Sequence, residues 1–157
     1  MAFCPGRSQT VVMDIDLVLV PVDGSDRSEQ AAEYATAIAQ RYDAGLHLLF
    51  VLDERLRRDI DKGTVDAESV AQDHREFTQR VRDRSHELGH DVTLDTSTAT
   101  AFSQKRLMQN PGSVVLDVAE DIEADFLVIP RAASSEDAVG RAAIYVLEYA
   151  SQPVLSV

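Results

Sequence analysis

The run LVLVPV at residues 17–22 limits the possible folds of this chain more than any other stretch. It is apolar at successive positions, so both faces of the strand it forms must be covered, as for a central strand of a parallel sheet. Asp23, Gly24 and Ser25 follow and supply a turn. Ser25 or Ser28 then caps a helix in which Ala31, Ala35, Ile38, Ala39 and Tyr42 recur at helical spacing. A strand buried on both sides and passed directly into a helix opens a βαβ unit.

The alternation continues to residue 157. Gly45 is expected to end the first helix and residues 46–52, LHLLFVL, to form the second strand. The polar stretch DERLRRDIDKG at 53–63 breaks the apolar pattern and is expected to be a long loop. A helix is predicted over 66–88, with Val70, Phe77, Val81 and Leu88 on one face, His74 in the gap and Gly89 closing it. Val92 to Ser97 is a third strand, polar enough for a sheet edge, and 98–109 reads as an insertion or short irregular helix. Asn110, Pro111 and Gly112 mark a turn, and Ser113 is expected to cap a helix burying Val115, Val118, Ala119 and Ile122. Phe126 to Ile129 is the fourth strand. A last helix carries Val139, Ala143, Val146, Leu147 and Ala150 on one face, and VLSV at 154–157 is the fifth strand. Right-handed crossovers wind such units into a three-layer, doubly wound α/β fold, with a five-stranded parallel sheet of order 3-2-1-4-5. The switch point lies between strands one and four, so Asp23 and the segment from Pro130 should flank any ligand.

Residues 14–157 are expected to form one domain, and residues 1–13 a disordered arm, with Met13 a candidate natural start. Twenty-seven Asp and Glu stand against 15 Lys and Arg, a net charge of −12, and the arginines are interleaved with acids at 54–61 and 80–87. That balance argues against nucleic acid, because few phosphate counterions would be released. Only Lys62 and Lys105 are lysines. Many carboxylates with almost no lysine fit adaptation to high salt, where screening offsets self-repulsion. No apolar run approaches the roughly 20 residues of a membrane helix. Cys4 is the only cysteine, which rules out an intrachain disulfide and fits a reducing cytoplasm.

Three segments, taken in order, resemble the universal stress protein family. VPVDGSDRSEQAAEYA at 20–35 is similar to its first strand, Val-Asp-Gly-Ser turn and alanine-rich helix. NPGSVVLDVAEDIEADFLVIP at 110–130 resembles its Asn-Pro turn, third helix, Ala-Asp pair and fourth strand, and AIYVLEYASQPVLSV at 143–157 its last helix and final strand. The resemblance implies a Rossmann-like fold of the adenine nucleotide alpha hydrolase type. It also implies a homodimer paired through residues 154–157, with protein partners that it does not identify.

ATP-binding members of that family carry G-x2-G-x9-G-[ST] after strand four, where glycines admit backbone amides to phosphates and the last pair opens a helix. Here Pro130 and Ala133 occupy the first two glycine positions, Gly140 comes three residues early, and Arg141 replaces the Ser or Thr. Glu136 and Asp137 put acids near the helix start, and Ser134 with Asp137 has capping-box spacing. A rebuilt phosphate site would need Arg131 or Arg141, with Lys105 and Arg106 reaching over. The resemblance gives the aspartate matching Asp23 a contact to adenosine and places Val51 beside the base; Asp23 also fits a plain Asx turn. The candidate adenine-nucleotide pocket is therefore Pro21, Asp23, Val51, Pro130, Arg131, Ala133, Gly140 and Arg141.

His47, His74, His86 and His90 have no tight metal-ligand spacing, and Gly89 interrupts the last two; no metal site is expected. Neither a nucleophile elbow nor a Walker P-loop is present. The expected function is a non-catalytic stress-response or regulatory dimer with triphosphate binding lost. No cofactor is expected beyond weak AMP or ATP binding. The alternatives are a nucleotide switch or slow ATPase, and another enzyme on the same fold.

Overall fold

The computed structural model describes residues 14–100, 111–131 and 138–157. The arm expected at 1–13, most of the stretch read as an insertion, with Lys105 and Arg106, and the positions Ala133, Ser134, Glu136 and Asp137 lie outside the described residues. Five parallel strands, β1 (Leu17–Val22), β2 (Gly45–Leu52), β3 (Leu94–Thr100), β4 (Phe126–Ile129) and β5 (Val154–Ser156), lie in the order β3-β2-β1-β4-β5. This is the order expected from right-handed crossovers. Val18 stands opposite Leu46 on one side and Phe126 on the other, so β1 is central.

Alternation along β1 divides the core in two. Val18, Val20 and Val22 face α1 (Asp26–Tyr42) and α3 (Ala67–Glu87), where Ala31, Ala35, Ala39 and Phe77 cover them. Leu19 faces the other layer, α4 (Pro111–Asp121) and α5 (Ala138–Tyr149), among Val115, Ala119, Val139 and Val146. The small alanines bring α1 close to the sheet. Each fully buried Val or Leu contributes about 1.5–3 kcal/mol relative to an exposed one.

Several expectations are corrected. The stretch at 53–63 contains a helix, α2 (Glu54–Asp61). Asp53 caps it, its Oδ1 accepting from the Leu56 N–H at 2.6 Å. Arg58 lies 4.0 Å from Glu54 and Arg57 3.6 Å from Asp61, each four residues apart. No residue of α2 is fully buried, and its apolar side is only the half-buried Leu56 and Ile60, so the cap and the i,i+4 charges mark the helix more clearly. The first helix stops at Asp43, whose φ of 54° is left-handed, while Gly45 already belongs to β2. Tyr42 is exposed, not core, because it is the last residue before that reversal.

Strand β3 begins at Leu94 and runs to Thr100, pairing Ala99 with Val51 and Thr100 with Leu52, so 98–100 is strand and not insertion. Helix α4 begins at Pro111, which puts Ser113 inside its first turn and not at the cap. Proline suits that first position, where an N–H would have no intrahelical acceptor. Leu88 and Leu147 are exposed, and Ser85 and Ala142 take the buried positions assigned to them. The Ser85 hydroxyl satisfies itself on the His90 carbonyl at 3.1 Å.

Candidate nucleotide pocket

The site begins with the turn that ends β1. Asp23 is exposed, and its Oδ1 accepts from the Ser25 N–H at 2.9 Å, an Asx turn. Its second oxygen has no partner among the described residues. Gly24 has a φ of 84°, a conformation that a side chain would strain. Ser25 caps α1 by accepting from the Ser28 N–H at 3.2 Å, and the Ser28 hydroxyl donates to the Ser25 carbonyl at 2.9 Å. The turn thus holds Asp23 at the carboxyl end of β1 with one carboxylate oxygen available.

Across the switch point, Pro130 is buried directly after β4. The next N–H, that of Arg131, donates to the Val157 carbonyl at 2.7 Å. The Arg131 carbonyl accepts from Arg27 Nη1 of α1 at 3.4 Å, so the first turn of α1 and the segment after β4 meet across the crevice. Strand alternation puts Pro21 on the same side of the sheet as Leu19, toward α4 and α5. Val51 is buried on that side in one cluster with Val139, the residue before Gly140. Gly140 is buried in the first turn of α5 and Arg141 is exposed. Pro21, Val51 and Gly140 therefore lie on the α5 side of the sheet, while Asp23 follows β1 and Pro130 and Arg131 follow β4 along the crest of carboxyl strand ends. Ala133 is outside the described residues.

One part of the surroundings comes from the stretch expected to be a loop. On the other side of the crest Asp23 and Gly24 line a cavity of about 390 Å³, together with Leu56, Val70, Asp73 and Phe77. Its wall needs α2, the helix that the polar stretch conceals. The cap signal at Asp53 and the charge pairs that follow would have found it.

Two of the histidines, His74 and His47, have structural partners. The His74 ring stacks on Phe50 with centroids 4.0 Å apart, and Phe77 meets Phe50 edge-on at 5.7 Å. Burial lowers the His74 pKa below its ordinary value, with Asp73 opposing the shift. His47 Nε2 lies 2.7 Å from the Ser97 hydroxyl, and burial lowers its pKa as well, against Asp95. His86 and His90 share a cavity of about 300 Å³ with Asp83 and Asp91. Among the described residues no group of three or more His, Cys, Asp or Glu is placed to hold a metal.

The fold and the turn agree with a wider pattern. Residues 15–157 match the model of the universal stress protein family. The chain belongs to the universal stress protein family. Among solved structures, UspA from Lactobacillus plantarum is 25% identical with a TM-score of 0.63, the match covering 91% of this chain and 97% of that one. A universal stress protein in complex with cAMP is 21% identical with a TM-score of 0.63, covering 92% and 97%. The universal stress protein from Archaeoglobus fulgidus in complex with dAMP is 17% identical with a TM-score of 0.57, covering 90% and 96%. The last two likenesses establish the shared fold alone. No curated protein matches the chain. Among the described residues of this universal stress protein, no helix is long and apolar enough to cross a membrane.

Proposed function

We propose that this universal stress protein is a non-catalytic stress-response or regulatory protein of the cytoplasm, working by association as a homodimer, with its triphosphate grip lost. The observation that carries the reading is the state of the backbone after β4. A phosphate loop presents free amides, but Pro130 has no N–H and the Arg131 N–H is spent on Val157 at 2.7 Å. Two successive positions that would open the loop thus offer no donor to a phosphate. The adenosine side is better kept, with one Asp23 oxygen unpartnered among the described residues and Pro21 and Val51 buried. Related folds carrying cAMP and dAMP, each with one phosphate, support weak binding of AMP ahead of ATP.

Calorimetry with ATP, ADP and AMP in high salt tests this reading. AMP as tight as or tighter than ATP, without hydrolysis, is the expected result. Micromolar ATP binding would overturn it in favour of a nucleotide switch or slow ATPase built on Arg131 and Arg141, both exposed.

Association is supported by the sheet edge. Among the described residues strand β5 pairs only with β4, through the Pro153 carbonyl and the N–H and carbonyl of Val157. Alternation then turns the backbone groups of Val154 and Ser156 outward. Nearby apolar surface, Ile144 at 70% exposure and Leu147 at 53%, adds area for a partner. Ser156→Pro removes only an outward N–H, which an edge strand tolerates. It should sediment as a monomer with its melting temperature kept when compared at low protein concentration. A Ser156→Pro protein, or one truncated before Pro153, that stays dimeric would refute this arrangement.

A further inference from the structure

Helix α3 carries Arg75, Thr78, Gln79 and Arg82 at i, i+3, i+4 and i+7, which is one stripe of its surface. The stripe faces the edge strand β3. There Thr98 stands opposite Phe50 and Thr96 opposite Leu48, so both threonines lie on the α3 side of the sheet. Between helix and strand runs a groove of about 340 Å³, lined by Arg75, Arg82, His74, Thr96, Thr98 and Gln79 among others, with no carboxylate among its described lining residues. On a chain with 27 acids against 15 basic residues, a groove with two guanidinium groups and no acid among its described lining residues departs from the composition around it.

The donors differ in how far they are committed. Arg75 is held by Glu68 at 2.6 Å and by Gln72. Arg82 is exposed, reaches the Leu94 carbonyl only at 3.5 Å, and has no carboxylate partner among the described residues. The nearest acid on the helix, Asp83, is tied to the Gln79 amide at 2.8 Å. The hydroxyls of Thr96 and Thr98 have no partner among the described residues. A guanidinium fork flanked by hydroxyl donors matches the geometry of an oxyanion. Phe50 and His74, stacked on each other at 4.0 Å, line the same groove.

We propose that this groove binds a small phosphate-bearing molecule, with Arg82 as the principal cation and Thr96 and Thr98 as supporting donors. It lies on the opposite face of the sheet from Pro21 and Val51, and His74 is the residue it shares with the cavity beside Asp23. Its test is separate from the calorimetric one.

Amide chemical shifts of the protein would be followed during titration with inorganic phosphate and with phenyl phosphate, sodium chloride keeping the ionic strength constant. Saturable shifts are expected at Gln79, Arg82, Thr96 and Thr98, with Gly24 and Gly140 unmoved. Arg82→Gln should weaken binding about tenfold, the loss of one charge-assisted contact, and Arg82→Lys should recover part of it. Arg82 is a solvent-exposed helix residue, so both variants should fold, and their spectra verify this directly. Non-saturating shifts scattered over the surface arginines, shifts centred on Gly24, or unchanged affinity in Arg82→Gln would each overturn the proposal.

Discussion

Tyr145 of α5 lies so close over Gly112 of α4 that a β-carbon on Gly112 would fall 2.4 Å from the tyrosine Cβ and 2.8 Å from its ring. No rotamer change removes a clash with a Cβ, so the helices themselves must separate. Gly112→Ala is expected to destabilise the protein by about 1–3 kcal/mol, the usual cost of overpacking. Tyr145→Ala leaves the Cβ in place and should recover only the share due to the ring. Urea unfolding of the two single variants and the double variant measures this; a neutral Gly112→Ala would refute the close contact.

Asp125 joins the starts of two strands. Its Oδ2 accepts from the N–H of Asp16 at 2.9 Å and of Leu17 at 3.1 Å, and its own N–H donates to the Leu17 carbonyl at 2.9 Å. The Asp125→Ala variant strips an acceptor from two amides and is expected to lose about 1.5–3 kcal/mol. Asp125→Asn keeps one carbonyl oxygen and should lose less. Equal denaturation midpoints for wild type and Asp125→Ala would show that the pairing contributes nothing.

The two half-buried histidines set a pH dependence. Burial first, opposed by Asp95 and Asp73, lowers the folded pKa values of His47 and His74 below the ordinary 6.5. The unfolded chain therefore takes up protons at a higher pH than the folded one. Stability is complete above 6.5 and is lost as the pH falls through that value toward the depressed folded pKa values. Denaturant midpoints should hold steady from about pH 8 down to about pH 6.5 and fall below it, and His47→Gln with His74→Gln should flatten that fall. An unchanged slope in the double variant would exclude these two rings as its source.

Net charge leads to a fourth expectation. At −12, with the acids spread over the surface, mutual repulsion weakens the compact state in dilute buffer. Screening shortens from about 10 Å at 0.1 M salt to about 3 Å at 1 M. The melting temperature should climb as sodium chloride is raised toward molar concentration. A flat or falling melting curve would remove the reading of salt adaptation.

Much of this architecture can be read directly from residue order. Continuous apolar runs at β1 and β4 declare strands covered on both faces, and the alanines of α1 declare close packing on the sheet. The failures share a cause: the apolar stripe is a poor guide where burial does not hold an element. Helix α2 buries no residue fully and rests on the Asp53 cap, its own ion pairs and the half-buried Leu56 and Ile60. Leu147 yields its place to Ala142 because hydrophobicity alone does not say which side of α5 has room. At the site, the Asp23–Gly24 turn is local and therefore legible. The bond from Arg131 to Val157 joins segments far apart in the chain, and no spacing announces it.

That bond gives the sheet edge a clock. While the Arg131 N–H is closed onto Val157 it is shielded from solvent, so its exchange for deuterium counts how often the end of β5 lifts from β4. Pairing of β5 with a second copy would slow this one amide more than those buried in β1. A single exchange rate, read against protein concentration, thus reports association from a residue inside the candidate pocket.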